Sequence, residues 1–232
     1  MGEVGGLRER KKQQMYQRLS DTAIGLFLRD GYEQVTVADV AAAVDVSKPT
    51  LFRYFPAKED LVLHRLADHE GEVGRVVAGR PPGCSPLEAL RRHFLDGLDR
   101  RDPVTGLNDD AGVLAFHRLL YGTPALVARL HTLLERDEAA LADVLAGVLG
   151  EGTGEGTGEA SGDAAGRGVR ARLAAAQIVA VRRVLAQENW RQMAAGRSAD
   201  ALHPEAVAVA RVAFAQLEAG LPALTRPFSE TE

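Results

Sequence analysis

The chain has 232 residues, 46% hydrophobic and 26% charged, enough to bury a core in one large domain or two small ones. Its single cysteine, Cys84, excludes an internal disulfide framework and a cysteine-based zinc site, and no stretch nears the roughly 20 apolar residues of a membrane span. A net charge of −4 confines any nucleic-acid binding to a local basic patch.

The segment Met1–Arg18 carries charge and no apolar run of the kind a secretory signal needs, so a cytoplasmic protein is expected. That segment also holds the one basic run: Arg8, Arg10, Lys11, Lys12 and Arg18 against Glu9 alone. Such a run fits a solvated tail as well as a phosphate-binding arm. Strand signals are scarce, and valines fall among alanines at helical spacing, so the expected fold class is all-α.

The first helix is expected from about Leu7 to Arg29, with Leu19, Ala23, Leu26 and Phe27 as one apolar stripe, stopped by Gly31. Thr36 caps a short second helix, with Asp39 three positions on as a partial capping box and Val40, Ala41 and Val44 on its buried side. Asp45 and Val46 make a turn. Ser47 then caps a third helix, Lys48–Tyr54, with Pro49 in its first turn and Pro56 beyond its end. A fourth helix is expected to run from Lys58 to about Ala78, followed by a break at Arg80–Gly83. Ser85 and Pro86 open a helix through Leu87, Leu90, Phe94 and Leu98. A loop at Asp102–Asp110 precedes Ala111–Tyr121, and Thr123-Pro124 starts a long helix reaching Leu149. Residues 150–168, rich in Gly, Glu and Thr, read as a flexible connector. Two last helices are expected at Val169–Met193, with Leu173, Ala176, Ala180, Val184 and Leu185 on its stripe, and at Pro204–Leu221.

Two short helices joined by a tight turn, the second rich in Ser, Lys, Thr and Arg, describe a helix-turn-helix, whose second helix enters the major groove while nearby hydroxyls and cations hold phosphates. The run Thr36-Val37-Ala38-Asp39-Val40-Ala41, then Val46-Ser47-Lys48-Pro49-Thr50-Leu51-Phe52-Arg53-Tyr54-Phe55, then Lys58-Glu59-Asp60-Leu61, closely resembles the tetracycline-repressor (TetR) family over roughly residues 8–66. The resemblance implies a helix-turn-helix DNA-binding domain over 1–60 and a ligand-binding and dimerisation domain over 61–232.

It also implies roles residue by residue. Thr36 would cap the second helix and contact a phosphate. Ser47, Lys48, Pro49, Thr50 and Arg53 would lie on or beside the groove-facing side of the recognition helix. Tyr54 would offer its hydroxyl to the DNA backbone, Lys58 would meet a phosphate, and Arg8, Arg10, Lys11 and Lys12 would form an arm along the duplex. Leu51 and Phe55 should be core. Three positions depart from the family's pattern. Asp45 stands where many members have Gly, Phe52 replaces a common phosphate-binding Tyr, and Ala57 forgoes a helix cap.

The expected partners are a palindromic double-stranded operator, a second copy of the chain, and a small apolar or amphipathic effector whose differential affinity for two states would release the DNA. Weak candidates for the effector site are His93, Phe94, Phe116, His117, Tyr121, Arg182, Arg183 and Trp190, aromatic or polar groups interrupting aliphatic faces. Phe94, Phe116 and Trp190 fit a plain core better than a ligand site, and Arg182 and Arg183 fit an interface ion pair equally. The last two helices, rich in alanine, are the implied dimer surface, with recognition helices about 34–36 Å apart. No nucleophile with its base, paired carboxylates or metal-ligand spacing emerges from the six histidines and Cys84, so neither an enzyme nor a cofactor is expected. The alternative is a helix-turn-helix DNA-binding protein without an effector, docking a partner or associated with the nucleoid.

Overall fold

The computed structural model describes residues 3–151 and 160–225, and the chain folds as α1 (Glu3–Asp30), α2 (Val37–Ala43), α3 (Lys48–Tyr54), α4 (Lys58–Leu63), α5 (Glu72–Ala78), α6 (Pro86–Asp99), α7 (Ala111–Gly122), α8 (Pro124–Glu151), α9 (Ala160–Ala194) and α10 (Ala199–Gly220). No strand occurs among the described residues, so the fold is all-α. No helix among them is long and apolar enough to cross a membrane.

The helices gather into two compact units. The first takes the chain up to Asp68 together with Ala111–His131, and the second takes His69–Asp110 with everything from Thr132 on. A single cut at residue 60 does not describe this packing. Leu61, Val62 and Leu63 belong to the first unit's core, as do Phe116, Leu119 and Leu120 of α7 and Leu126 of α8. Around them lie Leu19, Ala23 and Phe27 from α1, Val40 and Ala41 from α2, and Leu51 and Phe55. The hydroxyl of buried Ser20 donates to the Leu61 carbonyl at 2.7 Å, which ties α1 to α4. Arg129 of α8 adds an ion pair to Asp60 at 2.8 Å.

In the second unit α10 packs against α6 and α9, with Phe94 and Phe214 in ring contact at 6.0 Å. Leu87, Leu90 and Leu98 of α6, Leu141 and Leu145 of α8, and Ala174, Ala175 and Ile178 of α9 are buried.

Four expectations change. The continuous helix over 58–78 is interrupted: α4 ends at Leu63, a 3-10 turn covers His64–His69, and α5 restarts after Gly71. Gly71 has φ 68°, which an α-helix cannot hold, and its N–H donates to Asp137 Oδ1 at 2.8 Å. The connector is shorter than 150–168: α8 runs through Glu151 and α9 begins at Ala160, while residues 152–159 of that segment lie outside the described residues. The last helix starts at Ala199, five residues before Pro204, because two side chains fill its first-turn donors. Ser198 Oγ accepts from Ala201 N and Asp109 Oδ2 from Ala199 N, at 3.3 and 2.8 Å. Finally, α9 turns a different stripe inward. Ala171, Ala174, Ala175, Ile178, Val179 and Leu185 are buried, whereas Leu173, Ala180 and Val184 are exposed. A helix apolar on two faces offers periodicity no means to choose between them.

Candidate nucleic-acid interface

The helix-turn-helix is assembled by local chemistry. Thr36, extended at φ −92°, closes a complete capping box: its Oγ1 accepts from Asp39 N at 3.2 Å, and Asp39 Oδ2 accepts from Thr36 N at 2.8 Å and from the Thr36 hydroxyl at 2.7 Å. The turn after α2 needs one left-handed residue, and Asp45 supplies it at φ 57° without glycine. Ser47 Oγ accepts from Thr50 N at 3.2 Å and lies 2.8 Å from Thr50 Oγ1, which starts α3.

This fixes the rotation of α3. Leu51 and the following Phe55 are buried, while Ser47, Lys48, Pro49, Phe52 and Arg53 are exposed and Thr50 is half-buried. A seven-residue helix therefore presents two cations, hydroxyls and an aromatic ring to solvent from a buried root. Tyr54 is half-buried, its ring meeting Tyr16 edge-on at 4.9 Å. Arg8, Arg10, Lys11 and Lys12 are exposed and already helical, on the first turns of α1 rather than on an extended arm.

Lys58 is committed elsewhere. Its ammonium donates to the Tyr32 carbonyl and lies 4.0 Å from the Tyr32 ring centre and 5.2 Å from that of Phe27. Tyr32 in turn donates from its hydroxyl to Glu59 at 2.9 Å, and burial together with that carboxylate raises its pKa. Ala57 makes no side-chain cap, but Asp60 Oδ2 accepts its N–H at 3.1 Å and does part of the task. Phe52 was legible only as a lost phosphate contact. Its ring is 40% exposed beside Lys48, whose ammonium sits 5.8 Å from the ring centre, and it adds an apolar element to the same surface.

The effector-site candidates are divided between the two units. Phe116, His117 and Tyr121 belong to the first unit, where Phe116 is core. His117 is buried, and burial pushes its pKa down to about 4. His93, Phe94, Arg182, Arg183 and Trp190 belong to the second unit, where Phe94 is core. There Glu72, which sequence reading did not single out, meets two histidines: His69 Nδ1 at 3.1 Å and His93 Nε2 at 3.3 Å. Those contacts hold its carboxyl well below the usual range. His69 and Glu72 are three residues apart, whereas His93 comes from α6 and is brought to them by packing.

The α2–turn–α3 geometry, with its outward Lys48, Phe52 and Arg53, defines a helix-turn-helix protein. Residues 19–64 match the family described as bacterial regulatory proteins, tetR family. The HTH-type transcriptional regulator TcmR of Streptomyces glaucescens is 36% identical over 142 residues, 61% of this chain and 63% of that protein. The HTH-type transcriptional repressor KstR of Rhodococcus jostii is 37% identical over 100 residues, 42% of this chain and 44% of that protein. The nucleoid occlusion factor SlmA of Salmonella dublin is 29% identical over 138 residues, 58% of this chain and 67% of that protein. The chain thus spans less than two thirds of the length of TcmR and KstR. A solved structure of a transcriptional regulator from Pseudomonas aeruginosa PAO1 shares the fold, with TM-score 0.53 and 20% identity over 92% of this chain and 95% of that one.

Proposed function

We propose that the chain is a non-enzymatic, cytoplasmic transcriptional regulator, a repressor that binds a palindromic operator as a homodimer and leaves it when a small molecule binds. The observation that carries this reading is the rotation of α3: Leu51 and Phe55 anchor it, and Lys48, Phe52 and Arg53 face outward at the spacing of a major-groove reader. On this reading Ser47, Pro49 and Thr50 shape the groove-facing end, while Thr36, Tyr54 and the α1 cations Arg8, Arg10, Lys11 and Lys12 follow the phosphates. The relatives TcmR and KstR support regulation, and KstR supports repression. The domain assignment follows: the first unit would contact DNA, and the second would dimerise and hold the effector.

Selection of bound duplexes from a random pool tests it. The expected product is an inverted repeat whose half-sites are centred about one helical turn apart. Enrichment of no duplex at all, or of a site without symmetry, would overturn the reading.

The similarity to SlmA favours a second reading, a DNA-binding factor without a small-molecule effector. It predicts many selected sites and no ligand-dependent release from any of them.

A further inference from the structure

Among the described residues of the first unit, the large hydrophobic side chains left exposed are Leu28 of α1 and Phe52 of α3. Phe52 projects from a helix whose root, Leu51, is fully buried, and Lys48, Pro49 and Arg53 are exposed on the same seven residues. Lys48 lies one turn before it, with its ammonium 5.8 Å from the ring centre, so ring and cation are presented together. The helix Lys48–Tyr54 carries no carboxylate. A protein partner covering the ring would have to bury those cations, whereas a duplex would meet them with its phosphates.

A phenylalanine ring has no hydrogen-bonding atom. It gains nothing from a phosphate oxygen, and it reads no donor or acceptor on a base edge. Of the groups that the base pairs turn into the major groove, one is apolar, the 5-methyl of thymine. A ring laid on that methyl takes apolar surface of both out of water. We propose that Phe52 is a specificity-determining residue that reads a thymine methyl, with Lys48 and Arg53 beside it making the polar contacts. The proposal rests on the reading of a DNA-binding regulator and names a base feature that its α3 surface recognises.

The methyl can be removed alone. A duplex selected from a random pool by the full chain is remade with each thymine in turn replaced by deoxyuridine, which keeps every hydrogen-bonding group and lacks only the methyl. At one thymine of each half-site the replacement should weaken binding by about 3- to 5-fold per methyl. In Phe52→Ala and in Phe52→Gln, a polar side chain of similar reach, that loss should vanish. The ring is 40% exposed, so both variants should keep the wild-type urea midpoint, and either one decides if the other does not fold. No thymine whose methyl matters, or a loss that persists undiminished in the variants, overturns the proposal. So does a variant that weakens thymine and deoxyuridine duplexes equally, which would make the ring a support for Lys48. A selected duplex without two-fold symmetry that still shows the Phe52-dependent methyl effect sustains this inference and removes the palindromic-dimer reading. A symmetric duplex in which no methyl depends on Phe52 does the reverse, and enrichment of no duplex overturns both.

Discussion

Gly106 is held in a left-handed conformation, φ 72°, where the loop after α6 passes under α9. A Cβ there would run into the Ala186 carbonyl oxygen and come within 3.0 Å of the Trp190 nitrogen, both backbone atoms that cannot swing aside. Gly106→Ala should therefore destabilise the second unit by about 3 kcal/mol or more, read as a lower urea midpoint, since it adds backbone strain to a clash. Lys58 illustrates the opposite surprise, a cation turned inward. Because its ammonium already serves the Tyr32 carbonyl and ring, Lys58→Met should cost about 1 kcal/mol of stability and leave the salt dependence of operator binding unchanged. A salt slope shallower by about one would instead place that lysine on a phosphate. His117 gives a pH dependence. Its folded pKa, about 4, lies below the ordinary histidine value of 6.5. Between these values the unfolded chain takes up a proton that the folded chain refuses, so the stability due to neutral His117 is full above 6.5 and lost as pH falls towards 4. The loss is about 3 kcal/mol. Replacing it by Phe should flatten the unfolding free energy over that interval, and an unchanged slope would show that other groups set it.

At the level of elements, the legible parts of the sequence were those whose signals are local. Thr36 with Asp39, Ser47 with Pro49, and Asp45 in the turn each act within a few residues, so the start of α2 and both ends of α3 could be placed to the residue. What escaped were features fixed from a distance. The break between α4 and α5 depends on Asp137 accepting the Gly71 N–H, and the early start of α10 on Asp109, ninety residues away. Which face of α9 lies inward was decided by its neighbours, because alanine and valine are spread around the whole helix. The same division holds for the candidate sites: the α3 residues were visible as a motif, whereas His93 meets Glu72 only through packing. For α3 itself, Arg53 projects from the exposed side near the helix end and Leu51 roots the other. Arg53→Ala should relax the preference at one or two operator positions, costing about 1–3 kcal/mol on the preferred sequence and little on others, as measured across the selected sites. A uniform loss across all duplexes would reassign Arg53 to the phosphates.

For the molecule as a whole, the question is why so much apolar surface of the second unit faces solvent. Val169, Leu173 and Val184 of α9 and Val209 and Val212 of α10 are each about half exposed or more, Leu173 at 57% and Val212 at 60%. Ala180, Ala208 and Ala215 are exposed on the same two helices. Exposed apolar residues on these two packed helices fit the contact surface of the proposed homodimer, and small residues beside them let helices approach closely. In a two-fold dimer each such residue meets the same patch on the other copy, so one substitution acts twice. Leu173→Glu combined with Val212→Glu should place like charges across the axis and convert the protein to a monomer in sedimentation velocity. Monomers lose the effective concentration that links two half-sites, so affinity for the full inverted repeat should fall by about 100-fold or more, while binding to an isolated half-site stays the same. A double variant that sediments as a dimer with undiminished operator affinity would move the symmetric contact to a different surface.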